Sequence, residues 1–208
     1  YGTRQNCTGI RAANQQHAVS VYGSYYDTDG TNISDQGAER DGYNNQSLSV
    51  RYDFEPSDIF SMKLIAKHYD ISNDTDDFAT NPDYSQYLVD ADRKNEVIQN
   101  YARMSASLDS FSGRLNQQLS FAITDTNNKV YENGTHIEGT LGEKMKMDYQ
   151  ASVFFATDST EHALTVAHER EYDDFKQRGT DFTYGDPNHD QEVQTNSYIA
   201  EYRLGLHK

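Results

Sequence analysis

Residues 144–155 read Lys144-Met145-Lys146-Met147-Asp148-Tyr149-Gln150-Ala151-Ser152-Val153-Phe154-Phe155. Met145, Met147, Tyr149, Ala151, Val153 and Phe155 share one parity, and Lys144, Lys146, Asp148, Gln150 and Ser152 share the other. Successive side chains of a strand point to opposite faces, so this stretch is a strand with one apolar and one polar face. The alternation lasts about ten residues, the length that crosses a bilayer at a tilt. Strands of soluble domains usually run about 5–6.

The pattern recurs on both sides of that stretch. Leu48, Val50, Tyr52 and Phe54 alternate with Ser47, Ser49, Arg51 and Asp53. Phe60, Met62, Leu64 and Ala66 oppose Ser61, Lys63 and Lys67, with Ile65 the exception. Ala102, Met104, Ala106 and Leu108 alternate with Arg103, Ser105, Ser107 and Asp109; Leu119, Phe121 and Ile123 oppose Gln118, Ser120 and Thr124. Leu164 and Val166 oppose Thr165 and Glu169, and Tyr198, Ala200, Tyr202 and Leu204 oppose Ser197, Glu201 and Arg203. With Val19 and Val21 leading into Tyr22, about eight strands are expected. The fold class is therefore all-β: an antiparallel transmembrane β-barrel. Leu48, Val50, Tyr52, Met145, Met147 and Val153 should face lipid, and Arg51, Lys63, Arg103 and Lys146 the lumen. A soluble carbohydrate-binding sandwich, apolar face inward, is the weaker alternative.

Composition agrees. Only 35% of the 208 residues are hydrophobic, yet 16 Tyr and 9 Phe are too many aromatics for a disordered acidic chain. A net charge of −15 argues against a nucleic-acid partner. The single cysteine, Cys7, excludes a disulfide framework within the chain. No apolar run is long enough for a transmembrane helix, and Tyr1-Gly2-Thr3-Arg4 does not read as a signal peptide.

Short and long connections alternate. Short links fall at 55–58, 110–113 and 157–160, and long polar links at 28–44, 72–97, 126–142 and 173–192. Tight turns on one side and long loops on the other are the arrangement of an outer-membrane barrel, so the long links should be extracellular. Residues 1–17 show no alternation and are expected to be irregular; residues 18–208 form the barrel region.

Two runs then resemble TonB-dependent outer-membrane receptors. One is Tyr26-Asp27-Thr28-Asp29-Gly30, then Glu39-Arg40-Asp41-Gly42-Tyr43, leading into Ser47-Leu48-Ser49-Val50-Arg51. The other is Gln177-Arg178-Gly179, then Gly185-Asp186-Pro187-Asn188 and Ala200-Glu201-Tyr202-Arg203. The resemblance covers about residues 18–205 in strand and loop order. It implies a 22-stranded barrel with a plugged lumen, in the outer membrane of a Gram-negative bacterium. It implies import of cobalamin or an iron–siderophore complex, driven through contact of the plug with TonB. Against that pattern the chain carries no plug segment. It ends at Gly205-Leu206-His207-Lys208 without an aromatic last residue. The expectation is a stretch of early barrel with further strands beyond. A self-contained small outer-membrane barrel with a structural or adhesive role is the alternative.

No enzyme is expected. His68, His162 and His168, which could suggest a rim protease, share parity with apolar residues and belong on the lipid side. Tyr25, Tyr26, Tyr69 and Tyr101 at strand ends read as an interfacial girdle, with ligand stacking as the alternative. Asn73-Asp74-Thr75 and Asn133-Gly134-Thr135 follow from polar loop composition rather than marking glycans. The acidic loops carry the ligand signal. Asp74, Asp76, Asp77, Asp83, Asp90 and Asp92 lie in 72–97, and Asp29, Asp35, Glu39 and Asp41 in 28–44. Clustered hard oxygens suit calcium, although no EF-hand spacing is present. The resemblance to cobalamin-type receptors implies calcium ligands drawn from Asp27, Glu39, Asp41, Asp77 and Asp90.

Overall fold

The computed structural model describes residues 2–32, 34, 39–183 and 185–206. Eleven strands follow one another: β1 (Thr3–Ala13), β2 (His17–Thr28), β3 (Tyr43–Ser57), β4 (Phe60–Asp74), β5 (Asp77–Thr80), β6 (Gln86–Val89), β7 (Arg93–Ser110), β8 (Leu115–Glu132), β9 (Thr135–Ala156), β10 (Thr160–Gly179) and β11 (His189–Leu206). Nine of them form one antiparallel meander in the order β1-β2-β3-β4-β7-β8-β9-β10-β11. β5 and β6 form a separate two-stranded ribbon. The sheet is not closed: β1 and β11 each leave one edge unpaired.

The short turns fall at 14–16, 58–59, 111–114 and 157–159, three of them where the sequence places them. The fourth belongs to a strand the sequence hides. Residues 1–17 were expected to be irregular, but Thr3–Ala13 pairs with Ala18–Thr28 along its whole length. Its apolar content is too thin to alternate; the ladder and the turn define it instead. Asn14 Oδ1 accepts the amides of Gln16 and His17 at 2.9 and 2.8 Å, closing the turn.

Three of the long links are shorter than expected. Strand β2 ends at Thr28 and β3 begins at Tyr43, so the first loop matches its reading of 28–44. The 126–142 link is instead the tip of the β8–β9 hairpin, turned in two residues, Asn133 (φ 50°) and Gly134 (φ 71°). The 173–192 link narrows to 180–188, and 72–97 contains the β5–β6 ribbon. The physical reason is common to all three. Beyond the apolar band both faces of a strand meet water, so the residues are polar on both parities and stop alternating. The backbone ladder continues regardless, because its groups must pair or be hydrated.

Register carries the two faces across the middle of the wall without a slip, shifting only between Phe54 and Ser57 and between Val130 and Tyr131. Val21, Val50, Ala66, Ala102, Ile123 and Met145 stand opposite one another in succession. On the other parity Arg51, Ile65, Arg103, Ala122, Lys146 and Glu171 do the same. The lipid-facing and lumen-facing sets expected above thus lie on opposite faces. Among the described residues no hydrophobic side chain is buried. Leu48 (47% exposed), Met147 (45%) and Val166 (48%) lie open, whereas the two buried side chains are Ser120 and Ser152 of the polar face, at 5% each. A single layer with its apolar face uncovered has no aqueous core; lipid is the solvent that fits it. On β9 the band from Met145 to Phe155 spans about 33 Å of strand, or about 25 Å of membrane at a tilt of about 40°.

Candidate functional site: inner wall and loop mouth

The outer face supplies anchorage. Near the turns, His17 stacks on Phe54 (4.9 Å) and its Nδ1 lies 2.7 Å from the Tyr52 hydroxyl. Six strands away along the sheet His162 repeats the arrangement, 4.6 Å from Phe155 and 2.6 Å from the Tyr202 hydroxyl. Amphipathic rings with satisfied polar tips belong at a membrane interface. His68 and His168 also lie on this face, against Asn100 (2.8 Å) and stacked on Tyr198 (4.7 Å). Parity thus places all three singled-out histidines outside the lumen. Tyr25 is on the outer face as well. Tyr26, Tyr69 and Tyr101 are not: their register partners Asn45, Gln99 and Thr124 put them on the inner wall. The girdle reading is corrected for those three, which the strand-end rule alone could not separate by face.

The inner wall divides along the strands. Toward the turns it is charged and cross-linked. Lys146 Nζ contacts Glu169 (2.7 Å) and Glu171 (3.9 Å); Lys144 Nζ contacts Glu171 (2.6 Å) and Asp173 (3.3 Å). Arg51 pairs with Asp53 through two nitrogens at 2.7 and 3.0 Å. Arg103 donates to Ser120 Oγ (3.2 Å), whose hydroxyl donates in turn to Asp148. The lysine pairs join β9 to β10 and stabilise their pairing, each by a modest amount because water reaches them, whereas Arg51 and Asp53 pair within β3. Toward the loops the inward positions change to tyrosines, amides and hydroxyls.

The loop mouth is acidic. The neck of the first loop closes where Gly30 (φ 69°) meets Asp41; a Cβ there would sit 1.8 Å from the Asp41 carbonyl oxygen, so only glycine fits. From this neck the Glu39 amide donates to Asp90 Oδ2 at 2.9 Å, and the Asp74 amide to the Gly42 carbonyl at 2.9 Å. Loss of water, then Asp90, Asp92, Asp74 and Asp76, hold the Glu39 carboxyl above its ordinary value. Loss of water, then Asp41 and Asp90, do the same for Asp76. Asp76 Oδ2 and Asp90 Oδ1 are shielded and make no hydrogen bond.

Of the five residues singled out for calcium, Glu39, Asp41 and Asp90 come together across the two loops. Asp27 does not join them; it accepts from Asn44 Nδ2 (3.3 Å) on the outer face. Nor does Asp77, which caps the Phe78 amide (2.7 Å) and faces Arg93 at 3.7 Å. Asp74, Asp76 and Asp92 take their places, acids visible in the sequence but not separable there from their neighbours. Asp35 lies outside the described residues. Among the described residues no three carboxylates, histidines or cysteines are gathered closely enough to hold a metal as they stand. In the last loop Asp186 is satisfied by Asn188 and Asp190 by Arg178.

No protein-family model matches the chain, and no curated protein matches it. Solved structures do. The siderophore receptor PirA from Pseudomonas aeruginosa aligns with a TM-score of 0.65 at 13% identity, over 97% of this chain and 30% of that one. The outer membrane transporter YddB from Escherichia coli aligns at 0.69 and 12%, over 98% and 32%. The RagAB peptide importer aligns at 0.69 and 11%, over 99% and 30%. This chain spans about a third of the length of the structures it matches. At these identities the likeness is one of fold: the wall is built as theirs are.

Proposed function

We propose that the chain is barrel wall of a TonB-dependent outer-membrane receptor that imports a scarce small molecule, and that it has no catalytic role. The observation that carries this reading is the inverted sheet, with open apolar residues on one face and a charged, hydrogen-bonded wall on the other. A water-filled lumen behind a lipid-facing surface is the solvent arrangement that suits both. The matched structures support the same kind of protein, among them receptors for siderophores and a peptide importer. Cobalamin and iron–siderophore complexes are the ligands implied by the sequence resemblance. TonB would act through a plug, and the outer membrane would be the location. The unpaired edges of β1 and β11 favour continuation into further strands over a small self-contained barrel, since backbone groups cannot stay unpaired in hydrocarbon. Among the described residues the apolar face stays open at Leu48, Met147 and Val166, which argues against the soluble sandwich.

The test is fractionation of cells expressing the full-length protein. It should sediment with outer membranes, resist carbonate extraction and need detergent; release into the soluble fraction overturns the reading. The loop acids extend the proposal to calcium. Glu39, Asp41, Asp74, Asp76 and Asp90 supply the hard oxygens calcium prefers, and the unbonded oxygens of Asp76 and Asp90 give it places to bind. Calcium would draw the two loops together by neutralising them. Limited proteolysis of the full-length protein should slow in calcium relative to chelator at sites within 29–42 and 75–92. Equal rates count against calcium and leave the receptor reading untouched.

A further inference from the structure

On the inner wall, three consecutive cross-strand rows on the loop side carry one charged residue among them. The first row runs Ser24, Ser47, Tyr69, Gln99, Thr126, Gly142, Phe175 and Gln191. The second runs from Tyr26 and Asn45 through Ile71, Val97, Asn128 and Thr140 to Gln177 and His189. The third runs Thr28, Tyr43, Asn73, Asn95 and Val130 before reaching Glu138. In a chain of net charge −15, with Lys67, Lys144 and Asp173 in the row directly below and Arg51, Arg103, Lys146 and Glu171 in the next, such a band is a departure from the composition around it.

Its chemistry is specific. Tyr26 and Tyr43 lie 5.8 Å apart, and the Tyr43 hydroxyl accepts from Asn45 Nδ2 at 2.8 Å. Gln99 Nε2 donates to Thr126 Oγ1 at 3.2 Å. Two amide oxygens in the band, Asn95 Oδ1 and Asn128 Oδ1, are shielded and accept no hydrogen bond. A buried acceptor left without a donor costs free energy; both residues are only half-buried, and turning either amide toward the lumen would let an arriving hydroxyl satisfy it.

Resting on the receptor reading above, we infer that the imported ligand is an uncharged, hydroxyl-rich solute, an oligosaccharide in chemical class. An anionic ferric chelate would pass the acidic loop mouth and then find no lysine or arginine in these three rows. A cation would find no carboxylate there before Glu138. A neutral sugar meets both demands: its hydroxyls donate to Asn95 and Asn128, and its ring faces lie on the tyrosines. Bound amides and aromatic rings also lose no solvated counter-charge when such a ligand arrives.

The experiment uses the full-length protein in detergent and native mass spectrometry against two panels. One holds maltohexaose, cellohexaose, mannohexaose and xylohexaose; the other holds the ligands the resemblance implies, as ferric citrate, a ferric catecholate and cyanocobalamin. A member of the sugar panel is expected to bind and the second panel is not. Asn95→Leu with Asn128→Leu removes both acceptors and should weaken the sugar at least tenfold, while Asn127→Leu on the outer face leaves it unchanged. Heat-modifiable migration checks that each variant is folded, and Gln99→Leu stands in if the double variant is not. Binding of a ferric chelate or cyanocobalamin, failure of every neutral sugar, or indifference to the Asn→Leu changes overturns the inference. Of these, chelate binding leaves the receptor reading standing, which falls only on release into the soluble fraction.

Discussion

The two faces of β3 are made from one backbone and differ by one residue of parity. Leu48, Val50 and Tyr52 have no protein neighbour beyond the sheet, and Arg51 and Asp53 have each other. In a soluble protein the first set would be the core and the second the surface. Here neither set is buried among the described residues, which teaches that the solvent, not the sequence pattern, decides which face needs covering.

The strongest way to break that comparison is to exchange the two chemistries. Val50→Arg places a charge in the middle of the apolar band and should cost about 2–4 kcal/mol of folding into lipid vesicles. Ser49→Arg, one residue away on the wet face, should cost well under about 1 kcal/mol. Equal losses would mean the faces are wrongly assigned.

A smaller effect tests what the charged rows contribute. Lys146→Ala removes the lysine paired with Glu169 and the more distant of the two lysines at Glu171. Lys146 and Glu169 are each 37% exposed, so the loss should be about 0.5–1 kcal/mol and should shrink in high salt. A salt-independent loss would point to packing rather than charge.

Smaller still is the difference expected above the band, where both faces are wet. Asn127→Lys (outward) and Thr126→Lys (inward) should each change stability by less than about 0.5 kcal/mol, whatever their parity. A clear outward penalty would extend the lipid-facing band up to Asn127.

The last test concerns the loop mouth, which belongs to neither face. Glu39 and Asp76 titrate above their ordinary values in the folded loops. A raised carboxyl favours the folded form when protonated, so its contribution is full at low pH and is lost as pH rises through the raised value. Without calcium, Glu39→Gln with Asp76→Asn should therefore slow tryptic cleavage after Arg40 at about pH 8. Near pH 4 the variant and the parent should converge, read with an acid-active protease. Unchanged cleavage at pH 8 would remove charge repulsion as the reason the loops open.

Much of the wall was legible because its pattern is a solvent boundary written at period two. Strand faces, the three turns at 58–59, 111–114 and 157–159, and the positions of His68, His162 and His168 all follow from parity. Where water reaches both parities the signal vanishes, and there the sequence misleads: the β8–β9 tip reads as a long loop. Its clue was local, since Asn133-Gly134 suits a two-residue hairpin turn with both φ values positive. Strand β1 was hidden for a related reason, being held by backbone pairing rather than by side-chain burial. Partners across strands, such as His162 with Tyr202 or Glu39 with Asp90, depend on register and loop closure, which no single segment encodes.

Every pairing in the large sheet joins strands adjacent along it, and the register is interrupted only near strand ends, between Phe54 and Ser57 and between Val130 and Tyr131. A single residue inserted between those ends would move every later side chain of its strand to the opposite face, sending methionines into the lumen and lysines into lipid. A whole hairpin inserted or removed would leave both faces, and the side on which each loop emerges, as they were. The unit by which such a wall can grow or shrink through evolution is thus two strands and a turn, and its tolerance for smaller changes is confined to its tips.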